Sequence, residues 1–352
     1  MNINDIKTVL TKLSTSNPTS LSANEIDSLT ARIITINMDE KKILIMLNAT
    51  GLTVDEQNRI KSLMEWALNG DKIIYVSFSM DSKPKQPHTS ASQMNRKAIP
   101  NVKKIIIVAS GKGGVGKSTT TLNLAIAFQK QGLRVGVLDA DIYGPSLPLM
   151  IGTYEKPEVS VDKKLIPIQK FDLSVMSMGF LIDKAMPMIW RGPMVQGALN
   201  QLLFEVSWGH EGDLDLLIID TPPGTGDVHL TLAQQLIIDG AIIVSTPQDM
   251  ALIDAKKAIA MFEKVSIPVI GMIENMAYFC CPNCGVNTNI FNRGGAHDAA
   301  TTAQIPFLGA IPLTAAIRIA CDDGVPIGLT EDLVSANSLY AEIAKLVFER
   351  IY

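Results

Sequence analysis

Four groups of residues have the types and the spacing to do chemistry. The first is the run Gly111, Lys112, Gly113, Gly114, Val115, Gly116, Lys117, Ser118 and Thr119. Its glycines accept backbone angles that other residues resist, so successive N–H groups can turn toward one anion. Lys117 is spaced to reach the β- and γ-phosphates of a nucleotide, and the Ser118 hydroxyl to bind Mg²⁺. The second group is Asp139 and Asp141. The third is Asp220, which follows four apolar residues and precedes Thr-Pro-Pro-Gly-Thr-Gly-Asp. A carboxylate in that setting holds Mg²⁺ through water, opposite the serine of the loop. The fourth is Cys281 and Cys284, two thiols at Cys-x-x-Cys spacing. Such a pair grips one soft metal centre, and by itself it fits a redox couple, half a zinc site or half a cluster site. It lacks the strand–CxxC–helix setting of a thioredoxin.

These residues need elements to position them. The β-branched run 104–109 reads as a buried strand, and 120–128 is apolar at helical spacing. Strand, glycine loop and helix is the context in which this motif means phosphate binding. Further strands are expected over 134–138, 214–219, 240–245, 268–273 and 306–311, with helices over 195–206, 250–265 and 334–351 between and after them. Two short β-like runs lie within 165–180. This alternation gives an α/β fold, a mostly parallel sheet with helices on both faces. Asp139, Asp141 and Asp220 then stand at the carboxyl ends of strands, where the ligand crevice of such sheets lies. Asp139 reads as part of the Mg²⁺ and phosphate surround, although turn formation and helix capping fit both Asp139 and Asp141 too. Asn275, also at a strand end, offers a donor and an acceptor to a base edge or caps the backbone. His229 reads as a packing histidine, because phosphoryl chemistry rests on positioning and charge. Cys280 and Cys321 read as bystander thiols.

Ahead of this domain, residues 1–79 form a small α/β unit. A helix is expected over 5–13, a hairpin from 33–37 and 42–47, a helix over 54–68 capped by Thr53, and a strand over 71–77. Residues 80–102 are polar with Pro and Ser and read as a flexible linker, leaving 103–352 as the nucleotide domain. With 47% apolar and 19% charged residues the chain is globular, and its net charge of −4 argues against nucleic acid. No apolar run reaches the ~18 residues that span a bilayer, and no basic amphipathic helix marks a membrane surface. Four cysteines in 352 residues make no disulfide framework, so a reduced, cytoplasmic setting is expected.

Lys112, directly after the first glycine, turns the loop into Lys-Gly-Gly-x-Gly-Lys-Ser. This deviant loop resembles that of division-site and partition ATPases, nitrogenase iron protein and the Mrp/ApbC-type iron–sulfur cluster carriers. Pro-Pro-Gly-Thr-Gly-Asp after Asp220, and Met-Ala-Tyr-Phe-x-Cys-Pro-x-Cys-Gly over 276–285, are similar to the Mrp/ApbC form. The resemblance implies an ATPase that binds ATP with Mg²⁺ and works as a homodimer, with Lys112 reaching the partner's nucleotide. It implies that Asp141 positions the attacking water and that Asn275 contacts adenine. Cys281 and Cys284 would hold a [4Fe–4S] cluster, received from assembly factors and passed to apo-proteins. A cluster held by thiolates usually needs four, so two chains would supply one pair each. Two other readings remain: a partition- or division-site switch, and a P-loop ATPase whose thiols staple a structural zinc.

Overall fold

A computed structural model of the chain describes Thr8 and residues 23–38, 42–67, 73–79, 96–182, 192–330 and 334–352. The helix expected over 5–13 (Thr8 apart), residues 80–95 of the expected linker, and Trp190-Arg191 lie outside the described residues. The chain divides into two compact units, Met1–Ser92 and Gln93–Tyr352.

The first unit contains α1 (Ala23–Ala31), β1 (Ile33–Met38), β2 (Lys42–Asn48), α2 (Val54–Ala67) and β3 (Ile73–Ser79). β1 pairs antiparallel with β2, and β2 parallel with β3. Alternate residues of β2, Ile43, Ile45 and Leu47, point into a core with Ile26, Leu29, Met64, Ile74 and Val76. α2 begins at a capping box: the Thr53 N–H donates to Glu56 Oε2 at 2.8 Å, and the Glu56 N–H donates to Thr53 Oγ1 at 3.4 Å. α1 has no counterpart in the expected elements. Among its described side chains Ile26 and Leu29 are the apolar ones in the core, so packing forms this helix where periodicity is weak.

The second unit is built on a nine-stranded sheet. Its elements are β4 (Val102–Ala109), α3 (Lys117–Lys130), β5 (Val135–Asp139), α4 (Leu147–Met150), β6 (Ile168–Lys170), β7 (Leu173–Ser177), α5 (Gly192–Phe204), β8 (Leu214–Asp220), α6 (Asp227–Gln235), β9 (Gly240–Ser245), α7 (Asp249–Lys264), β10 (Val269–Cys280), β11 (Asn287–Thr288), α8 (Gly295–Thr302), β12 (Phe307–Leu313), α9 (Ala315–Asp322) and α10 (Val334–Ile351). The order is β11-β10-β9-β4-β8-β5-β7-β6, with β12 paired to β10. Every pairing is parallel except those of the short strands β6 and β11. β4, β8 and β9 are buried through most of their length, which is why they read as unbroken apolar runs.

Three differences from the sequence reading bear on the site. Residues 96–101 are tied to the second unit: Arg96 Nη2 donates to Val265 O at 2.6 Å, Lys97 bridges to Leu236, and Ile99 is buried. β10 runs past Asn275 to Cys280, with a register shift around Met276, whose φ is 55°. One bent strand thus carries Asn275 and delivers the chain to the cysteines. α9, not expected from sequence, is capped by Thr314, whose Oγ1 accepts the Ile317 N–H at 3.3 Å.

Candidate functional site

The glycine loop leaves β4 and opens α3, whose residues from Thr120 to Phe128 are all buried. Two of its glycines are sterically obligatory. A Cβ on Gly111 would fall 2.1 Å from the Asp254 carbonyl carbon in α7. Gly116 has φ 81°, and a Cβ there would fall 2.0 Å from Asn275 Nδ2. Asn275 Nδ2 donates to Val115 O at 2.8 Å, so this amide braces the loop. Lys112 is exposed.

Lys117 Nζ lies 2.5 Å from Asp220 Oδ1 and 3.3 Å from Ser118 Oγ, and both Lys117 and Asp220 are buried. Thr121 Oγ1 also donates to Asp220 Oδ1, at 3.1 Å. The ammonium therefore stands between the hydroxyl and the carboxylate that the sequence assigns to Mg²⁺. Hard oxygen donors already facing a cation suit that ion.

Asp139 stands beside Asp220 in the β5–β8 register. It is buried and accepts the N–H of Asp141 (3.0 Å), the N–H of Leu147 (3.2 Å) and the Ser177 hydroxyl (3.1 Å). Burial, then the Asp220 charge, push its carboxyl up to about 7. This corrects the expectation for Asp139: its oxygens are spent fastening the 140–147 loop, and it serves the site by holding that loop. Asp141, on the loop, accepts the Gly144 N–H at 3.3 Å. Partial burial raises its pKa, and the Lys117 charge opposes the rise. Asp141 lines a cleft of about 520 Å³ together with Tyr143, Val195, Pro222, Pro223 and Asp227.

The segment after Asp220 is tied back to β4. Thr221 donates both its N–H (3.2 Å) and its hydroxyl (3.0 Å) to Val108 O, and the Gly224 N–H reaches Ser110 O at 2.9 Å. His229 Nε2 sits 2.9 Å from Thr221 Oγ1. Its Nδ1 is buried with no hydrogen-bond partner among the described residues. Burial, then the Lys117 charge, lower His229 to about 4, so the ring is neutral and acts as a brace.

The thiol pair sits on a hairpin at the end of β10. The Cys281 N–H donates to Val286 O at 3.1 Å, and the Gly285 N–H donates to Cys281 O at 2.8 Å, with Gly285 at φ 70°. The N–H groups of Asn283 and Cys284, and the Cys284 thiol, hold the Cys281 thiol below its ordinary pKa. A turn that stabilises thiolate is what a thiolate-bound metal requires. Cys284 and Cys280 are exposed, and all four cysteines are free. Cys280 Sγ faces Gly285 O at 3.7 Å. Cys321 Sγ, on α9, lies 3.6 Å from Thr119 Oγ1, and burial raises its pKa. Among the described residues, no group of three or more His, Cys, Asp or Glu side chains is placed to hold a metal ion. The sequence reading missed Thr221, Ser177 and Glu274. Each acts through a partner far along the chain, which no local pattern reveals.

A family profile described as "ParA: NUBPL iron-transfer P-loop NTPase" matches residues 101–348. The chain belongs to this family. It is 48% identical over 260 residues to an "Iron-sulfur cluster carrier protein" of Pseudomonas fragi, covering 73% of this chain and 89% of that protein. It is 47% identical over 250 residues to an Arabidopsis thaliana "Iron-sulfur protein required for NADH dehydrogenase, mitochondrial", covering 71% of this chain and 79% of the other. Among solved structures, a nucleotide-binding protein of Archaeoglobus fulgidus in complex with ADP superposes with a TM-score of 0.57 at 40% identity, covering 67% and 93%. The Pyrococcus furiosus cell division ATPase MinD, at 21% identity and a TM-score of 0.50 over 70% and 98%, shares the fold. The P-loop NTPase fold read from the sequence is thus established, as is its family. No helix among the described residues is long and apolar enough to cross a membrane.

Proposed function

We propose that this chain is an ATP-dependent iron–sulfur cluster carrier that holds a [4Fe–4S] cluster as cargo and passes it to apo-proteins. The observation that carries this reading is the hairpin at the end of β10, which sets the two free thiols of Cys281 and Cys284 at Cys-x-x-Cys spacing on a P-loop NTPase domain. Relatives bearing the name of cluster carrier support it. Each chain offers two such thiols and a bridging cluster takes four, so two copies meet about a two-fold axis with their hairpins facing. Exposed Lys112 reaches the partner's nucleotide in that dimer.

The nucleotide chemistry follows from the buried charges. An arriving triphosphate draws Lys117 from Asp220 toward the β- and γ-phosphates. Asp220 and the Ser118 hydroxyl, so freed, would hold Mg²⁺, and the ion would supply charge neutralisation at the phosphates. Asp141 orients the attacking water. The amide of Asn275 keeps the loop braced from one side while its oxygen faces adenine. The same thiolate turn would also hold zinc, and the two cargoes separate by colour and composition. Anaerobic reconstitution should give a brown protein with iron and sulfide at four per dimer, and light scattering should give the mass of two chains. A colourless protein containing zinc, or a full cluster on a monomer, would overturn the reading.

A further inference from the structure

Adjacent residues of a strand project to opposite sides of its sheet, and Glu274 and Asn275 of β10 hold two different loops in this way. Asn275 binds the phosphate loop at Val115 O. Glu274, buried at 2% exposure, accepts the Gly294 N–H at 3.1 Å and the Ala296 N–H at 2.8 Å. Gly294 and Ala296 lie where the chain returns from the cysteine excursion and opens α8. One carboxylate thus closes the base of residues 275–293, the segment that carries Cys281 and Cys284. The α8 N-terminus favours its charge. The contact on the other side is just as tight, since the Cβ-less face of Gly116 lies against the Asn275 amide.

We propose that the Glu274–Asn275 pair is the link between the phosphate loop and the thiol pair, with Glu274 the positioning residue for Cys281 and Cys284. A phosphate entering the loop recruits the N–H groups around Gly116 and turns the Val115–Gly116 peptide, whose carbonyl is the Asn275 acceptor. Asn275 moves with it. Glu274, on the next Cα, carries the displacement to Gly294 and Ala296 and so to the base of the hairpin. A carboxylate that merely capped α8 would leave the thiols indifferent to nucleotide. The proposal rests on the reading of Cys281 and Cys284 as ligands, and its test does not need a loaded cluster.

The test is the alkylation rate of Cys281 and Cys284 by iodoacetamide, with and without saturating Mg²⁺–ADP. It is read by tryptic peptide mass spectrometry in the full chain with Cys280→Ser, which removes the third thiol from that peptide, while cleavage at Arg293 and Arg318 puts Cys321 on another. The parent should show a nucleotide-dependent change of at least about fivefold, the lower range of ordinary site-to-site coupling. Glu274→Gln, which replaces one acceptor oxygen by an amide donor, should bring that ratio close to one while nucleotide affinity and the thermal midpoint hold. Glu274→Asp, one methylene short, should lower the ratio by more than half, and it carries the test if Glu274→Gln does not fold. Thiols that ignore nucleotide in the parent, or a full ratio in both variants, would overturn the link. Iron and sulfide loading is measured separately, so a responsive pair that takes up no cluster would count against the carrier reading and leave the link standing.

Discussion

The phosphate loop and the thiol hairpin leave the ends of two strands of one sheet, and they are built in opposite ways. The loop's charges are interior. Lys117 answers Asp220, Asp139 is held by three donors, and Thr221 and Gly224 are tied to β4. The hairpin's thiols lie at or near the surface, held by its own turn, by the short β10–β11 pairing and by Glu274 at its base. The buried charges of the first region find their partners within one chain and are part of the core. The second presents half a ligand set and contributes little to the core. Stability and activity should therefore fail together in the loop and separate in the hairpin.

Lys117→Ala should give the largest effect. It removes the cation from a buried pair and leaves Asp220 beside Asp139 without compensation, a change that costs about 3–5 kcal/mol for buried pairs. ATP turnover and nucleotide binding should be lost, and urea unfolding should show the destabilisation. A loss under about 1 kcal/mol would mean that the buried charges do not hold the site together.

Cys281→Ser and Cys284→Ser should remove iron and sulfide while moving the urea-derived stability by less than about 0.5 kcal/mol, as exposed substitutions do. Cys280→Ser and Cys321→Ser should keep the cluster. Iron lost only in the latter two would place the ligands elsewhere in the chain. Lys112→Ala tests the same contrast within the loop, because Lys112 is its exposed cation. Turnover should fall by about a thousandfold, the lower end of what a trans cation contributes, with nucleotide affinity and stability near the parent's. Full turnover would end the trans-lysine role.

The same contrast explains what was legible in the sequence. The glycine loop, Asp220 and the cysteine pair are local patterns, and each stands at the end of the strand that leads to it. The parallel sheet was legible because strands covered on both faces leave long apolar runs. What escaped depends on contacts made across the chain. Asp139 stands at a strand end where it reads as part of a Mg²⁺ surround, yet Ser177 and the Leu147 N–H, brought beside it by the fold, turn it into a loop fastener. Glu274 reads as a charge at the end of an apolar strand, and only its partners twenty and twenty-two residues later give it a role. The helix Ala23–Ala31 has too few apolar residues to announce itself before it packs.

The smallest expected effect on the parent protein comes from two large opposed ones. His229 stays neutral in the fold down to about pH 4, whereas in the unfolded chain it charges below 6.5. Its contribution to stability is therefore full above 6.5 and is lost as pH falls toward 4. Asp139 runs the other way. It keeps a proton in the fold up to about 7 but releases it above 3.8 when unfolded, so stability falls as pH rises through that window. Asp141, also raised, has the same sign as Asp139. The two main groups pull stability in opposite directions across overlapping windows. Glu56 and Asp215, both lowered, have the opposite sign to Asp139. The parent should therefore change less between pH 4.5 and 7.5 than a variant that keeps only one of the two groups. Asp139→Asn should expose the His229 half, with stability rising by about 3 kcal/mol over the same interval. His229→Gln, which keeps a hydrogen-bonding partner for Thr221 and cannot titrate, should expose the Asp139 half and fall by a similar amount. Urea midpoints at four pH values across the interval decide it. A parent as steep as either variant would mean that the two groups do not oppose one another, and that the buried region is not the balanced set of charges that separates it from the hairpin.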